Sequence, residues 1–262
     1  MERLPIHTRL ARVEHDRILI RGRDLCQELL GSTSFADMTG LMLLERLPNP
    51  NERRMIDALL IVLVEHGMVS SVINARLTYH TAPESIQAAV AASLLGAGSV
   101  HLGSSDICAR MLEEGLAAEP DPEKAAQQIA EGFAAAKQRI PGIGHRTHPE
   151  GDPRAVRLFE IARETEVYAT YCRLLELVAA AAGRQFGRPL PPNVTGAIAA
   201  ISLDLGLPWQ MSKGFALIGR TLGSMAHIRE EIEMPAVGAI DAAIKGALSY
   251  ADGEGRTTAA GG

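Results

Sequence analysis

Apolar residues recur at three- and four-residue spacing through most of this chain, and Gly, Pro or Asn stands at most of the breaks. That spacing places apolar side chains on one face of a helix, whereas strand-like alternation is confined to residues 8–20. Aromatic residues make up only 4% of the chain, which favours helices that pack closely on small side chains. The sequence therefore predicts an all-α fold, with helical patterns at residues 24–30, 34–47, 52–64, 69–79, 82–95, 121–138, 154–182, 197–205, 212–229 and 239–251.

Charge and cysteine content exclude several classes of protein. A net charge of −5 gives no general footprint for nucleic acid, so no nucleic-acid partner is expected. No run reaches the ~20 apolar residues of a membrane span and no apolar signal region opens the chain, so we expect a soluble, cytoplasmic protein without a membrane partner. Cys26, Cys108 and Cys172 lack metal-ligand spacing, which indicates reduced thiols and no metal.

One loop has the composition of a ligand site. Pro141, Gly142 and Gly144 end a helical pattern and present His145 on a tight turn, where backbone without side chains can approach a ligand closely. Arg154 follows a second turn punctuated by proline. An imidazole that exchanges protons near neutral pH and a guanidinium that grips carboxylates could thus converge on one ligand. The alternative is a Gly/Pro loop with a surface histidine and an aspartate that caps a helix.

This loop resembles the "PG-x-GH-R … DPR" segment of the citrate synthase superfamily, which includes citryl-CoA lyases and the C-terminal module of ATP-citrate lyase. Other segments resemble family motifs in the same order. Each motif is weak alone, but together they cover the chain from about Arg21 to about Pro235. The matching segments are residues 21–25 with 34–37 and 47–48, then 65–71, 98–103, 192–194 and 219–223.

The resemblance implies an all-α fold in which a large and a small helical lobe surround a cleft. We expect a single citrate-synthase-like domain over residues 1–252, with the small lobe at roughly 150–235, and a disordered tail at 253–262. Family members pair through helices, so a homodimer is expected. Synthases of the family are longer than this chain, and its length is closer to the compact citryl-CoA lyase module. That shifts the expected reaction toward cleavage, by analogy only.

The resemblance also implies roles for individual residues. His101 matches the histidine that hydrogen-bonds the thioester oxygen, although a histidine in a Gly-rich turn is the alternative. His145 matches the histidine that faces the oxygen at the bond being broken. Arg154 and Arg220 match arginines that bind carboxylates, for which bidentate donors suit planar anions, although arginines more often form surface ion pairs. His66 either binds substrate or packs against the loop.

The same resemblance implies a site for coenzyme A, which is bound as part of the substrate. No permanently bound cofactor and no metal are implied, because histidines and hydrogen bonds perform the family's catalysis. The adenine site matches Gly142, Ile143 and Gly144, and the residues that could meet the phosphates as point charges are Arg146 and Arg188.

Two positions depart from the family pattern. Thr195 stands where relatives have an aspartate, and its hydroxyl has no useful pKa for taking a proton from carbon. Asp106 is a weak substitute, and Asp204 matches a position that is not catalytic. Near the end, Met234 stands where many synthases have an arginine, and an unpaired buried carboxylate would be costly. The substrate is therefore predicted to carry fewer carboxylates than citrate.

Three functions are compatible with these residues. The first is a citryl-CoA lyase-like enzyme that cleaves a 3-hydroxyacyl-CoA, in which Thr195 or a water passes the proton. The second is a condensing synthase. The absence of the aspartate argues most strongly against this function, because condensation from acetyl-CoA requires a strong base at that position. The third is a catalytically silent protein that binds CoA. The presence of His101, His145 and Arg154 argues against silence.

Overall fold

The computed structural model describes residues 7–98, 100, 102, 104–145, 148, 150–251 and 257–259, and it is mostly helical, as predicted. Strands β1 (Ala11–Val13), β2 (Ile18–Ile20) and β3 (Arg23–Asp24) form a small antiparallel sheet, where Ala11 faces Ile20 and Leu19 faces Asp24. A π-helical turn, Leu25–Leu29, follows the sheet. The α-helices are α1 (Phe35–Leu43), α2 (Pro50–Ile61), α3 (Ser70–Thr81), α4 (Ile86–Leu95), α5 (Ser105–Ala118), α6 (Pro122–Ala135), α7 (Pro153–Glu164), α8 (Thr170–Phe186), α9 (Val194–Asp204), α10 (Ser212–Glu233) and α11 (Val237–Ala247).

The helical pattern at 154–182 is two helices in the structure, so the prediction of one long helix is wrong. The chain turns between α7 and α8, where Glu166 has a φ of +58°. Asp204 stabilises the break by accepting hydrogen bonds from the backbone N–H groups of Ala169, Tyr171 and Cys172 at 2.9–3.0 Å. These donors are the orphan N–H groups at the start of α8. Asp204 therefore caps α8, and the expectation that it is not catalytic stays a prediction.

The first compact unit, Met1–Leu63 with Gly98–Ala216, is built around α9. Ala197, Ile198 and Ala200 on this helix have no exposed surface, and α9 packs against α5, α7 and α8. A helix that is apolar on all sides is stable only where neighbouring helices cover it. The close packing of α9 fixes the position of its N-terminal residues, which belong to the candidate site.

The second compact unit consists of Val64–Ala97 and Leu217–Gly262. Its small apolar core contains Ala75, Ala89 and Ile228. Helix α10 lies so close to the first residue of this unit that a Cβ added to Gly223 would be 1.8 Å from the Val64 carbonyl oxygen. A glycine is therefore required at this crossing.

The division into compact units differs from the lobes expected from the sequence. Residues 150–235, expected as a small lobe, lie partly in each unit, so the lobe boundaries and the single domain over 1–252 stay predictions. In the tail, β5 (Thr257–Ala259) pairs with β4 (Ser249–Ala251). The expected disorder of the other residues from 253 onward falls outside the described residues.

Candidate functional site

Two glycines bring the loop at residues 140–144 against the start of α9. A Cβ added to Gly196 would lie 2.4 Å from the Gly142 carbonyl oxygen, and Gly142 has a φ of +80° that other residues rarely adopt. The Gly142 carbonyl accepts a hydrogen bond from the Asn193 N–H at 2.9 Å, and the Gly144 N–H donates to the Pro191 carbonyl at 2.8 Å. The loop that carries His145 is thereby anchored to the segment that opens α9.

Asn193 caps α9 and fixes the direction of a chain of hydrogen bonds. Its Oδ1 accepts from the N–H groups of Thr195 and Gly196 at 3.1 Å, and its Nδ2 donates to the Gly144 carbonyl at 2.8 Å. Because an amide oxygen only accepts, the Thr195 hydroxyl must donate to it across 2.7 Å. The Ser104 hydroxyl in turn donates to Thr195 Oγ1 at 2.9 Å. The Thr195 proton therefore points to Asn193 and not to a ligand.

Asp152 connects the start of α7 to the start of α9. Its side chain is buried and accepts hydrogen bonds from the Val194 N–H at 3.0 Å, from the Arg154 N–H at 3.1 Å, and from Arg154 Nε and Nη2 at 3.0 and 2.9 Å. Burial alone would raise the pKa of Asp152, but the hydrogen bonds from Arg154 and Val194 and the charge of Arg154 hold it below its usual value. An ionised carboxylate thus ties Arg154 to α9.

The imidazole and the guanidinium of the loop lie side by side. Arg154 Nη2 is 3.5 Å from His145 Nε2, and the rings of His145 and His148 have centroids 4.9 Å apart with planes inclined by 30°. Asp152 engages the Nε and Nη2 edge of Arg154, while Nη1 makes no hydrogen bond to a described residue. That nitrogen is the donor that Arg154 can offer to an anion, next to a group that exchanges protons near neutral pH.

A cleft of about 380 Å³ opens beside the loop, a volume within the range of small-ligand pockets, ~300–1,000 Å³. Its wall combines apolar side chains with arginines and an imidazole, a set that suits a flat aromatic group with attached anions. The lining residues include Arg139, Ile143, Gly144, His145, Phe186, Arg188 and Leu190.

In the second unit, Arg220 is buried and lies beside a carboxylate. Only 2% of the Arg220 side chain is exposed, so Arg220 is not a surface arginine. Its Nη1 is 3.9 Å from Glu65 Oε2. The same oxygen is 3.0 Å from His227 Nε2. Burial would raise the pKa of Glu65, but the hydrogen bonds that its carboxylate accepts, first of all from His227, keep the pKa below its usual value. His66 follows directly in the sequence and is exposed.

Two of the predicted site residues, His101 and Arg146, lie outside the described residues. Among the others, Gly142, Ile143 and Gly144 form the anchored loop, and Arg188 is exposed on the rim of the cleft that the loop lines. Asp106, the weak substitute for the family aspartate, is partly buried, and its Oδ1 accepts from the Ile107 N–H at 2.9 Å. All the assigned roles stay predictions.

Sequence reasoning missed the partners of the predicted residues. Ser104 has no local signal, because Thr195, which it contacts, is far along the chain. His227 follows Arg220 by two helical turns, so both lie on one face of α10, and this spacing could have revealed the pair. Glu65 precedes His66 within a matched motif, a second signal that was available.

Comparison with known proteins assigns the family. The family model described as "Citrate synthase, C-terminal domain" matches residues 6–238. The chain belongs to the citrate synthase family. A citrate synthase of Synechocystis sp. is 30% identical over 202 residues, which are 74% of this chain and 48% of that protein. The glyoxysomal citrate synthase of Cucurbita maxima is 31% identical over 197 residues, 72% of this chain and 37% of that protein. This family member thus spans about half or less of the length of these relatives.

Solved structures confirm the citrate-synthase-like fold. The citryl-CoA lyase from Hydrogenobacter thermophilus superposes with a TM-score of 0.81 at 37% identity, over 87% of this chain and 88% of that chain. The ATP citrate lyase from Methanothrix soehngenii, solved with citrate and coenzyme A, gives a TM-score of 0.73 over 89% of this chain and 40% of that chain. Its identity of 21% shows a shared fold alone.

Two further properties of this citrate synthase family member concern only the part of the chain that the structure describes. No helix there combines the length and apolar character needed to cross a membrane. Within the same residues, no three His, Cys, Asp or Glu side chains form a group that could hold a metal ion. The expectation that the protein works without a metal stays a prediction.

Proposed function

We propose that this family member is a citryl-CoA lyase-like enzyme. It cleaves the C–C bond of a 3-hydroxyacyl-CoA, citryl-CoA or a related compound, to an acyl-CoA such as acetyl-CoA and a 2-oxo acid or other carbonyl product. The observation that carries the proposal is the similarity to the Hydrogenobacter citryl-CoA lyase, which extends over 87% of this chain and 88% of that one. The identity of 37% to that lyase also exceeds the 30–31% identity to the two proteins named citrate synthase.

The cleft of the first unit supports the binding of coenzyme A as part of the substrate. Gly144 and Ile143 present backbone and a small apolar surface for the adenine, and Arg188 is exposed at the rim where phosphates would be solvated. Arg146, outside the described residues, is proposed as a second phosphate contact. Hydrogen bonds to the segment that opens α9 hold Gly142 and Gly144 in place, and a loop that is ordered before binding loses less entropy when a ligand binds.

His145 and Arg154 support a role at the bond that breaks. A retro-aldol cleavage requires a base for the hydroxyl proton, and an imidazole is suited to this at neutral pH. Arg154, 3.5 Å away and fixed by Asp152, is proposed to bind a neighbouring carboxylate through Nη1. His101 is proposed to stabilise the enolate oxygen of the thioester.

The departing carbon must also receive a proton. The Thr195 hydroxyl donates its proton to Asn193 Oδ1, so that bond must break before Thr195 passes a proton. Asn193 cannot relay a proton, since an amide oxygen is an acceptor only. A water that donates one proton to the Thr195 oxygen keeps its second proton for the carbon, and the hydroxide that remains takes back the proton that His145 removed from the substrate hydroxyl. A water is therefore the better donor.

A condensing synthase is the second candidate, and the 30–31% identity to proteins named citrate synthase favours it. Condensation begins with removal of a proton from the acyl-CoA carbon, which requires a base such as a carboxylate. Thr195, whose hydroxyl lies between Ser104 and Asn193, offers none. The hydroxyl therefore weighs against this direction.

The test is incubation of the protein with citryl-CoA, followed by quantification of acetyl-CoA and oxaloacetate. The lyase proposal expects both products, and His145→Asn should abolish them, while His80→Asn, an exposed histidine on α3, should not. Faster condensation of acetyl-CoA with oxaloacetate than cleavage would favour the synthase. CoA binding without turnover in either direction would favour a silent CoA-binding protein. The expected homodimer is checked by sedimentation in the same preparations.

A further inference from the structure

A buried network in the second unit fixes the protonation pattern of His227. Arg76 has 2% of its side chain exposed. Its Nε donates to His227 Nδ1 at 3.1 Å, and its Nη1 donates to Glu231 Oε2 at 2.8 Å. Its Nη2 also contacts Glu230. A guanidinium only donates, so Nδ1 must be the acceptor. The ring proton therefore sits on Nε2, which donates to Glu65 Oε2 at 3.0 Å.

Both ends of this network are anchored to the backbone. Glu231 accepts from the N–H groups of Ala236 and Val237 at 2.9–3.1 Å and thereby caps α11. Glu65 Oε1 accepts from the N–H of Gly67, so its carboxylate is held by the turn on one side and by His227 on the other. The orientation of this carboxylate is consequently determined by α3, α10 and the turn together.

We propose that Glu65, oriented by His227 and Arg76, is a positioning residue that sets the Arg220 guanidinium for the carboxylate of the 2-oxo acid half of the substrate. Arg220 Nη1 is 3.9 Å from the Glu65 oxygen that His227 holds. The inference rests on the proposed function and on the role that the family resemblance implies for Arg220, which is to bind a carboxylate of the substrate. Bidentate binding of a planar anion requires a fixed guanidinium plane, which a supporting network supplies.

Stability alone is a weak reason for this network. Buried ion pairs contribute little relative to apolar residues of the same volume, because removing charges from water is costly. Here Arg76 and Arg220 are both almost fully buried, whereas 44% of the Glu65 side chain is exposed. Glu230, with 54% of its side chain exposed, and Glu65 are the accessible members of the network, and Glu65 is the one that lies beside Arg220.

The experiment measures the affinities of the full chain for CoA and for three 2-oxo acids, oxaloacetate, pyruvate and glyoxylate, by calorimetry. In Glu65→Gln the amide has one acceptor oxygen where the carboxylate has two, so it cannot accept from both Gly67 and His227. We expect about tenfold weaker binding of the acid that the unaltered protein binds and unchanged CoA affinity, an effect typical of residues coupled in one network. His227→Gln, which can accept from Arg76 and donate to Glu65, should retain most of the affinity. Glu233→Gln, the same charge change on the exposed face of α10, is the control.

The outcomes distinguish a failure of the positioning role of Glu65 from a failure of the proposed function. Unchanged acid affinity in Glu65→Gln, with a clear loss in Arg220→Lys, overturns the positioning role alone. Equal losses of acid and CoA affinity in Glu65→Gln also overturn it, because they indicate a general disturbance. Unchanged affinity in Arg220→Lys, or no acid binding by the unaltered protein, refutes the role of Arg220 in the proposed function, and the inference falls with it.

Discussion

Asp152→Ala should destabilise the first unit more than the loss of an ordinary helix cap. The change removes the cap of α7, a contribution of about 1 kcal/mol, and leaves the buried N–H of Val194 without an acceptor, which costs about 1–3 kcal/mol. Arg154 also loses its carboxylate, but 20% of its side chain is exposed, so water offsets part of that loss. We expect the free energy of unfolding to fall by about 3 kcal/mol.

The measurement is urea unfolding followed by the fluorescence of Trp209, the single tryptophan, which lies in the first unit and stacks against Arg110 at 5.5 Å. Asp121→Ala is the matched control, because Asp121 also precedes a proline and caps its helix through two backbone N–H groups, but without an arginine or a second helix. A loss in Asp152→Ala no larger than that in Asp121→Ala would refute the role of Asp152 as a connection between helices.

The pH dependence gives an independent check on the same carboxylate. The folded-state pKa of Asp152 lies below its usual value because the hydrogen bonds from Arg154 and Val194 outweigh the effect of burial. A group whose pKa is lowered by folding contributes stability above its unfolded pKa, ~3.9, and loses that contribution as the pH falls through the folded value. The difference in stability between the unaltered protein and Asp152→Asn should therefore be constant at neutral pH and shrink below pH ~4. A pH-independent difference contradicts this.

Three further changes test the site itself. Thr195→Asp should raise turnover of citrate-type substrates, measured as acetyl-CoA released, because a carboxylate exchanges protons where a hydroxyl does not; an unchanged rate means that the proton is handled elsewhere. Gly196→Ala places a Cβ 2.4 Å from the loop backbone and should weaken CoA binding in calorimetry, whereas Gly132→Ala, in open space on α6, should not; equal affinities would contradict the close approach. Arg188→Ala should weaken CoA binding more at low salt than at high salt, and the exposed Arg184→Ala should have less effect.

Local residues determine the parts of the fold that sequence reasoning predicted. Ser34 and Asp37 form a capping box at α1, with the Asp37 N–H donating to Ser34 Oγ at 3.1 Å. Asn49 before Pro50 opens α2, and Asp121 caps α6. These signals were readable because donor and acceptor are only a few residues apart.

Long-range contacts explain what sequence reasoning missed. The break between α7 and α8 depends on Asp204, a distant residue that caps α8. Helix α5 was not predicted, since its buried face consists of Cys108, Ala109 and Leu112, a weak apolar signal after a Gly-rich segment. In the site, the partner of Ser104 is equally distant, so the hydroxyl pair was invisible without the structure.

The two arginines proposed to bind substrate each face a carboxylate of the chain's own. Asp152 engages one edge of Arg154 with two hydrogen bonds, and Glu65 lies 3.9 Å from Arg220. Each carboxylate orients its arginine for an anion that fits the fixed guanidinium, but it also partly cancels the charge of that arginine, so additional anions are attracted less strongly. Together with Met234 at the position where many synthases have an arginine, this reduces the positive charge available to a ligand. We therefore expect a substrate with fewer carboxylates than citrate. The measurement compares the cleavage rates of citryl-CoA and of less charged 3-hydroxyacyl-CoA esters under identical conditions, and fastest cleavage of citryl-CoA would contradict this expectation.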